Sequence, residues 1–204
     1  MSELYDHILS DRCYAVRLML SLVNAKCERK IVDYVPSRTP ACSTVLPLNP
    51  AGDIPVYVDG DLVLTDVVAI LRHLSDKHDP DGRWRAGEPV VEHWLNFAMG
   101  PLTALHEARK VALFGASGDR DTLVRRGRVA LRVIEDQLSD QALRGQGFIA
   151  FALPSLADIA IFPNVMLSHD CGIAHEDYPA INLWQRRMRR LDRFISMPGI
   201  PDYF

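Results

Sequence analysis

Apolar and polar positions are patterned differently on the two sides of residue 80. Residues 3–9 form a short apolar-rich stretch that predicts a strand. Ser10 or Asp11 then offers an N-cap for a helix whose apolar members include Val16, Leu20 and Val23. Residues 29–35 are rich in β-branched side chains and predict a second strand, and the polar, proline-containing stretch 36–49 predicts an irregular helix. Two short apolar runs, 54–58 and 62–64, flank Asp59-Gly60 and predict a β-hairpin. Thr65 or Asp66 is placed to cap a helix in which Val67, Ile70, Leu71 and Leu74 recur at i, i+3, i+4 and i+7. The predicted order is β-α-β-α-β-β-α.

Asp79-Pro80-Asp81-Gly82 has the chemistry of a linker. Beyond it the period changes to that of helices and no strand is predicted. Val91, Trp94, Leu95, Ala98 and Leu102 predict one helix, kinked at Gly100-Pro101. Residues 122–138 predict another, with Arg125, Arg128 and Arg132 toward solvent. Ser155-Leu156-Ala157-Asp158 reads as a capping box, in which hydroxyl and carboxylate each serve a free backbone N–H. Ile181, Trp184, Met188 and Leu191 mark the last long helix, and residues 197–201 are non-helical.

Composition narrows the class. With 48% hydrophobic and 24% charged residues, the chain reads as an ordinary globular protein. A net charge of -3 gives no general attraction to nucleic acid or an anionic membrane, so neither is an expected partner. The basic run Arg186, Arg187, Arg189, Arg190 and Arg193 is read as a solvated helix face. The first residues lack the charged and apolar regions of a signal peptide, and charges interrupt every apolar run. Cys13, Cys27, Cys42 and Cys171 show no paired spacing and read as reduced thiols. A cytoplasmic location is the expectation.

Three blocks resemble the glutathione-transferase superfamily, over nearly the whole chain. Residues 10–18, Ser-Asp-Arg-Cys-Tyr-Ala-Val-Arg-Leu, resemble the serine or cysteine segment that opens the first helix. Residues 49–56, Asn-Pro-Ala-Gly-Asp-Ile-Pro-Val, with the helix start Leu64-Thr65-Asp66-Val67-Val68-Ala69-Ile70, resemble the family's Asn-Pro-x-Gly-x-Val-Pro strand and Glu-Ser helix. Residues 155–159 are similar to its helical capping box. The resemblance implies a thioredoxin-like α/β domain over residues 1–79, a linker over 80–86 and an all-helical domain over 87–204. It also implies a homodimer, glutathione as cosubstrate and no metal.

The chemistry so implied is a glutathione thiol held as thiolate, which attacks a small, largely apolar electrophile. A free thiol has a pKa of about 8.5, so a hydroxyl donor and a helix N-terminus are needed to favour the anion. Ser10 matches the catalytic hydroxyl of serine-type members, although the same residue is a plain N-cap. Cys13, one turn on, is the alternative, and Tyr5 a weaker one. Ile54-Pro55 is expected to be cis, with the Ile54 N–H and C=O turned toward the cysteinyl backbone of the tripeptide. Asp66 and Val67 stand where the family's Glu-Ser pair receives the γ-glutamyl carboxylate. Val67 supplies no hydroxyl, a departure that weakens the anchor. Arg38 and Thr39 are candidates for the glycyl carboxylate, although a solvated loop is the simpler reading. His106 and Arg109, with Trp94, Phe97 and Phe114, are candidates for the electrophile side, where most of the aromatics also suit a core. His169, Cys171 and His175 lack metal-site spacing, and Gly115-Ala116-Ser117-Gly118 lacks the lysine of a phosphate loop. Two functions are open: a glutathione-dependent transferase, or a non-catalytic binding or regulatory protein on the same scaffold, as in stringent-starvation-type proteins.

Overall fold

Four short strands, β1 (Glu3–Asp6), β2 (Glu28–Ile31), β3 (Val56–Asp59) and β4 (Leu62–Leu64), form one sheet in the order β2-β1-β3-β4. The structure is a computed structural model and describes residues 1–33 and 44–200. β1 runs parallel to β2 and antiparallel to β3, and β3 and β4 make the predicted hairpin. Gly60, at φ 63°, takes the left-handed conformation that the tight turn requires. A parallel pair needs a crossover, which α1 (Asp11–Leu22) supplies.

β1 stops at Asp6 rather than running through the predicted 3–9, because the Ser10 N–H donates to the His7 carbonyl at 3.0 Å and turns the chain. Of the predicted irregular helix, residues 44–48 are turns and residues 36–43 lie outside the described residues. The next helix, α2 (Val67–His78), starts from Asp66, whose carboxylate accepts the Ala69 N–H at 2.8 Å. Its apolar stripe of Val67, Ile70, Leu71 and Leu74 is buried.

The rest is helical: α3 (Pro89–Met99), α4 (Thr103–Phe114), α5 (Arg120–Leu143), α6 (Leu156–Met166), a 3-10 segment (Leu167–Cys171) and α7 (Pro179–Arg189). Gly100-Pro101 separates two helices instead of kinking one. The N–H groups of Gly100 and Leu102 both fall on the Phe97 carbonyl, Pro101 has none to give, and a new helix starts at Thr103. The basic run lies at the C-terminal end of α7 and beyond, with Arg186, Arg190 and Arg193 exposed and Arg187 donating to the Gly147 carbonyl at 3.1 Å.

Helix α1 is the hinge between the layers. Leu18 and Met19 are fully buried, and Tyr14 meets the Phe162 ring of α6 at 6.4 Å. The Tyr14 hydroxyl donates to the Ile195 carbonyl at 2.7 Å, which ties α1 to the segment after α7. The capping box at the start of α6 is formed, and Asp158 within it is fully buried. Helix α1 is thereby clamped between sheet and helices, with its N-terminus opening onto the cleft beside α4.

Candidate functional site

The loop before α1 is held from two sides. The carboxylate of Asp6, fully buried, pairs with Arg17 of α1 and accepts from Arg29 Nε at 2.7 Å. Arg17 in turn donates to the carbonyls of His7 and Ile8, at 3.2 and 3.1 Å. Arg109 of α4 donates to the next carbonyl, Leu9, at 2.6 Å. Three consecutive carbonyls are thus occupied by two guanidinium groups from opposite sides of the cleft.

Ser10 follows directly as the N-cap of α1, its Oγ accepting the Cys13 N–H at 3.2 Å. A hydroxyl that accepts in this way still has its own proton to donate. It sits at the positive end of the helix, equivalent to about half an elementary charge. Cys13 is fully buried, and burial pushes its thiol up to about 12, which the Ser10 hydrogen bond only partly opposes. Cys13 therefore sits in the core, beneath the first turn of α1. Tyr5 packs against the small cluster of Cys13, Val32, Val45, Ile54 and Val56.

The Ile54–Pro55 peptide is cis and buried. The Ile54 N–H, expected to face a ligand, donates instead to Asp53 Oδ1 at 3.2 Å, and Asp53 Oδ2 lies 3.4 Å from Arg12. A peptide ligand here has to displace that carboxylate. At the start of α2 the Asp66 carboxylate is taken up by its own cap, and the Val67 side chain is buried. Helix geometry leaves the N–H groups of Val67 and Val68 to receive an anion. Arg38 and Thr39 lie outside the described residues.

Across the cleft, His106 Nδ1 lies 2.9 and 2.7 Å from the two carboxylate oxygens of Asp11. Burial favours the neutral acid at Asp11, but His106, Arg109 and Arg12 outweigh it and hold the carboxyl well below the usual range. Arg109 is buried, with its Nε 2.7 Å from Asp170 Oδ2. Phe114 stands edge-on to His7, with ring centroids 6.5 Å apart. Trp94 and Phe97, by contrast, pack on each other at 5.2 Å away from the niche, as core.

Ser10, Ile54, His106, Arg109 and Phe114 line one niche of about 20 Å³, the scale of one water molecule. Its walls also include the charged side chains of Asp11, Asp53 and Lys110. A larger cavity of about 420 Å³ lies at the other end of α1, beside Leu22, Trp84 and Arg193. A 12-residue helix is about 18 Å long, so that cavity is far from Ser10 and takes no part in its chemistry. His175 is bonded to the Ser168 hydroxyl at 2.7 Å, and Cys171 donates to the Leu105 carbonyl at 3.6 Å. Among the described residues no three His, Cys, Asp or Glu side chains are grouped to hold a metal.

Sequence reasoning did not single out Asp6, Asp11, Asp53, Arg17 or Asp170 as parts of the site. Arg17 alone left a signal, as the one charge inside an apolar run, two turns beyond Ser10. The acidic partners look like surface residues until the chain is folded.

A mixed four-stranded sheet joined to an all-helical domain, with a hydroxyl at the first helix N-terminus and a cis-proline beside it, defines the glutathione-transferase fold. Residues 4–83 match the family model described as glutathione S-transferase, N-terminal domain. The chain superposes on a glutathione S-transferase from Pseudomonas fluorescens Pf-5 with a TM-score of 0.83, at 28% identity, covering 97% of this chain and 98% of that one. It is 27% identical to glutathione S-transferase theta-1 of Homo sapiens over 197 residues, 91% of this chain and 81% of the relative. It is 24% identical to dichloromethane dehalogenase of Methylophilus leisingeri over 196 residues, 89% of this chain and 73% of the relative. The chain belongs to the glutathione S-transferase superfamily. Among the described residues no helix is long and apolar enough to cross a membrane.

Proposed function

We propose that the protein is a glutathione-dependent transferase acting on a small, largely apolar electrophile. The observation that carries this reading is Ser10: its oxygen is fixed by the Cys13 N–H, and its proton is left to donate to a sulfur at the helix N-terminus. Glutathione lies with its thiol at Ser10, its backbone along Ile54 and its γ-glutamyl carboxylate over the start of α2. The thiol proton leaves to solvent, and the thiolate forms a carbon–sulfur bond while the leaving group departs with the electron pair. His106, oriented by Asp11, stands on the electrophile side. The relative named dichloromethane dehalogenase supports a small electrophile.

Calorimetric titration with glutathione tests this reading on wild type and Val67→Ser. Wild type is expected to bind, and the added hydroxyl to tighten binding roughly tenfold, the worth of one charge-assisted hydrogen bond. The buried methyl groups lost at Val67 cost about 1–2 kcal/mol of stability. Absence of heat from wild type at millimolar glutathione overturns the transferase reading in favour of a non-catalytic role.

The same reading includes a homodimer. Its support is the exposed apolar side chains of Leu62 and Val63 on β4 and of Val90 and Met99 at the ends of α3. Sedimentation at micromolar protein is expected to give a single species of twice the chain mass, and a pure monomer refutes the assembly.

A further inference from the structure

We propose that Arg109 is a positioning residue, through which the helical domain holds the 7–10 loop in the conformation that makes Ser10 a thiolate donor. The proposal rests on the transferase reading above and goes beyond it, because Arg109 was expected to meet the electrophile.

The argument starts from one peptide plane. The Leu9–Ser10 peptide is planar, so its C=O and N–H point in opposite directions and move together. Both ends are held: Arg109 Nη1 donates to the Leu9 carbonyl at 2.6 Å, and the Ser10 N–H donates to the His7 carbonyl at 3.0 Å. Fixing that plane fixes the entry of the chain into Ser10, and the Cys13 N–H, 3.2 Å from Oγ, then sets the direction of its hydroxyl.

Arg109 is itself fixed. Asp170 accepts from its Nε at 2.7 Å, and the two side chains are 5% and 19% exposed, too buried for water to compete freely. Asp170 belongs to the 3-10 segment, which is pinned by Arg120 on the Cys171 carbonyl at 3.0 Å and by Ser168 on His175 at 2.7 Å. A chain of contacts therefore runs from the segment after α6, through α4, to the residue before Ser10. It joins positions 61 and 100 residues apart in sequence.

Arg109 and Asp170 carry opposite charges, so Asp170 offsets part of the field of Arg109 at Ser10. Geometry, and not net charge, is what the pair contributes. That distinction gives opposite signs in experiment. If Arg109 acted only as a cation, Asp170→Asn would leave it uncompensated and make a bound thiol more acidic. If it acts by position, Asp170→Asn loosens it and makes the thiol less acidic, in the same direction as Arg109→Met.

The test is the ultraviolet thiolate absorbance of enzyme-bound glutathione, followed against pH in wild type, Arg109→Met, Arg109→Lys and Asp170→Asn. This signal reports sulfur itself, and the neighbouring charged or titratable groups His7, Asp11, Arg12, Asp53, His106 and Lys110 are common to all four proteins. Arg109→Met and Asp170→Asn are each expected to raise the thiol titration by about one pH unit, a roughly tenfold loss of thiolate on the acid side with convergence at high pH. Arg109→Lys keeps the charge but not the fork, and is expected to show the same rise. A fall in Asp170→Asn, or no shift in any variant, overturns the proposal. If Arg109→Met fails to fold, Asp170→Asn and Arg109→Lys decide the question alone. Failure of the transferase reading is distinguishable, because it shows as absent thiolate in wild type.

Discussion

Ser10→Ala is expected to lower kcat/KM for glutathione conjugation about a hundredfold, while the protein stays folded. The hydroxyl is the one donor assigned to the sulfur, and a charge-assisted hydrogen bond is worth about 1.5–3 kcal/mol, or roughly ten- to a hundredfold and slightly more. The substitution also removes an N-cap. The Cys13 N–H loses its acceptor, at about 0.5–2 kcal/mol of stability. Ser10→Asp separates the two roles. Its carboxylate still accepts the Cys13 N–H and keeps the cap, but it donates nothing to sulfur and repels the thiolate. Stability near wild type with activity lost is the expected outcome, measured by steady-state kinetics on a small electrophile and by thermal denaturation. Turnover unchanged in Ser10→Ala reduces Ser10 to a cap and removes the mechanism proposed for it.

Asp158→Ala is expected to cost about 3–5 kcal/mol of stability, without touching the niche. The carboxylate accepts four hydrogen bonds: the Ser155 N–H at 2.9 Å, the Ser155 hydroxyl and the Ile149 N–H at 3.0 Å, and Trp184 Nε1 at 2.8 Å. Burial pushes the carboxyl up, and the donors from Ile149, Ser155 and Trp184 push it back toward the charged form. Truncation leaves these donors buried without an acceptor, and an unpaired buried donor costs about 1–3 kcal/mol. For a chain of this size the loss corresponds to roughly 10 °C in Tm. Differential scanning calorimetry on Asp158→Ala checks it. A Tm within a degree or two of wild type would mean that water replaces the carboxylate and that the network adds little.

These two residues differ in how far they were legible in the sequence. Ser10 as an N-cap and the Ser155–Asp158 box follow from residue types at spacings of three, because a cap is an interaction within one helical turn. The Asp59-Gly60 hairpin and the cap at Asp66 are legible for the same reason. The Ile149 and Trp184 donors to Asp158 are not, since they come from the loop before α6 and from α7. Gly100-Pro101 shows the limit at intermediate range. Its chemistry foretells a disturbance, but whether the helix bends or stops is decided by which carbonyl the following N–H groups reach.

Taken by itself, the sequence determined the order of the four strands with α1 and α2, the switch from α/β to all-helical near residue 80, and Ser10 at a helix start. Those are consequences of periodicity and local hydrogen bonding. Tertiary structure alone decided that Cys13 is buried and that Trp94 and Phe97 pack on each other against the core. It also decided that Asp11 meets His106 across 95 residues, and that Asp170 holds Arg109 on the Leu9 carbonyl. The physical reason is that burial and ion pairing depend on which distant elements pack together. A cysteine one turn into a helix, or an arginine amid apolar residues, has one chemistry in water and another in the surroundings the fold gives it.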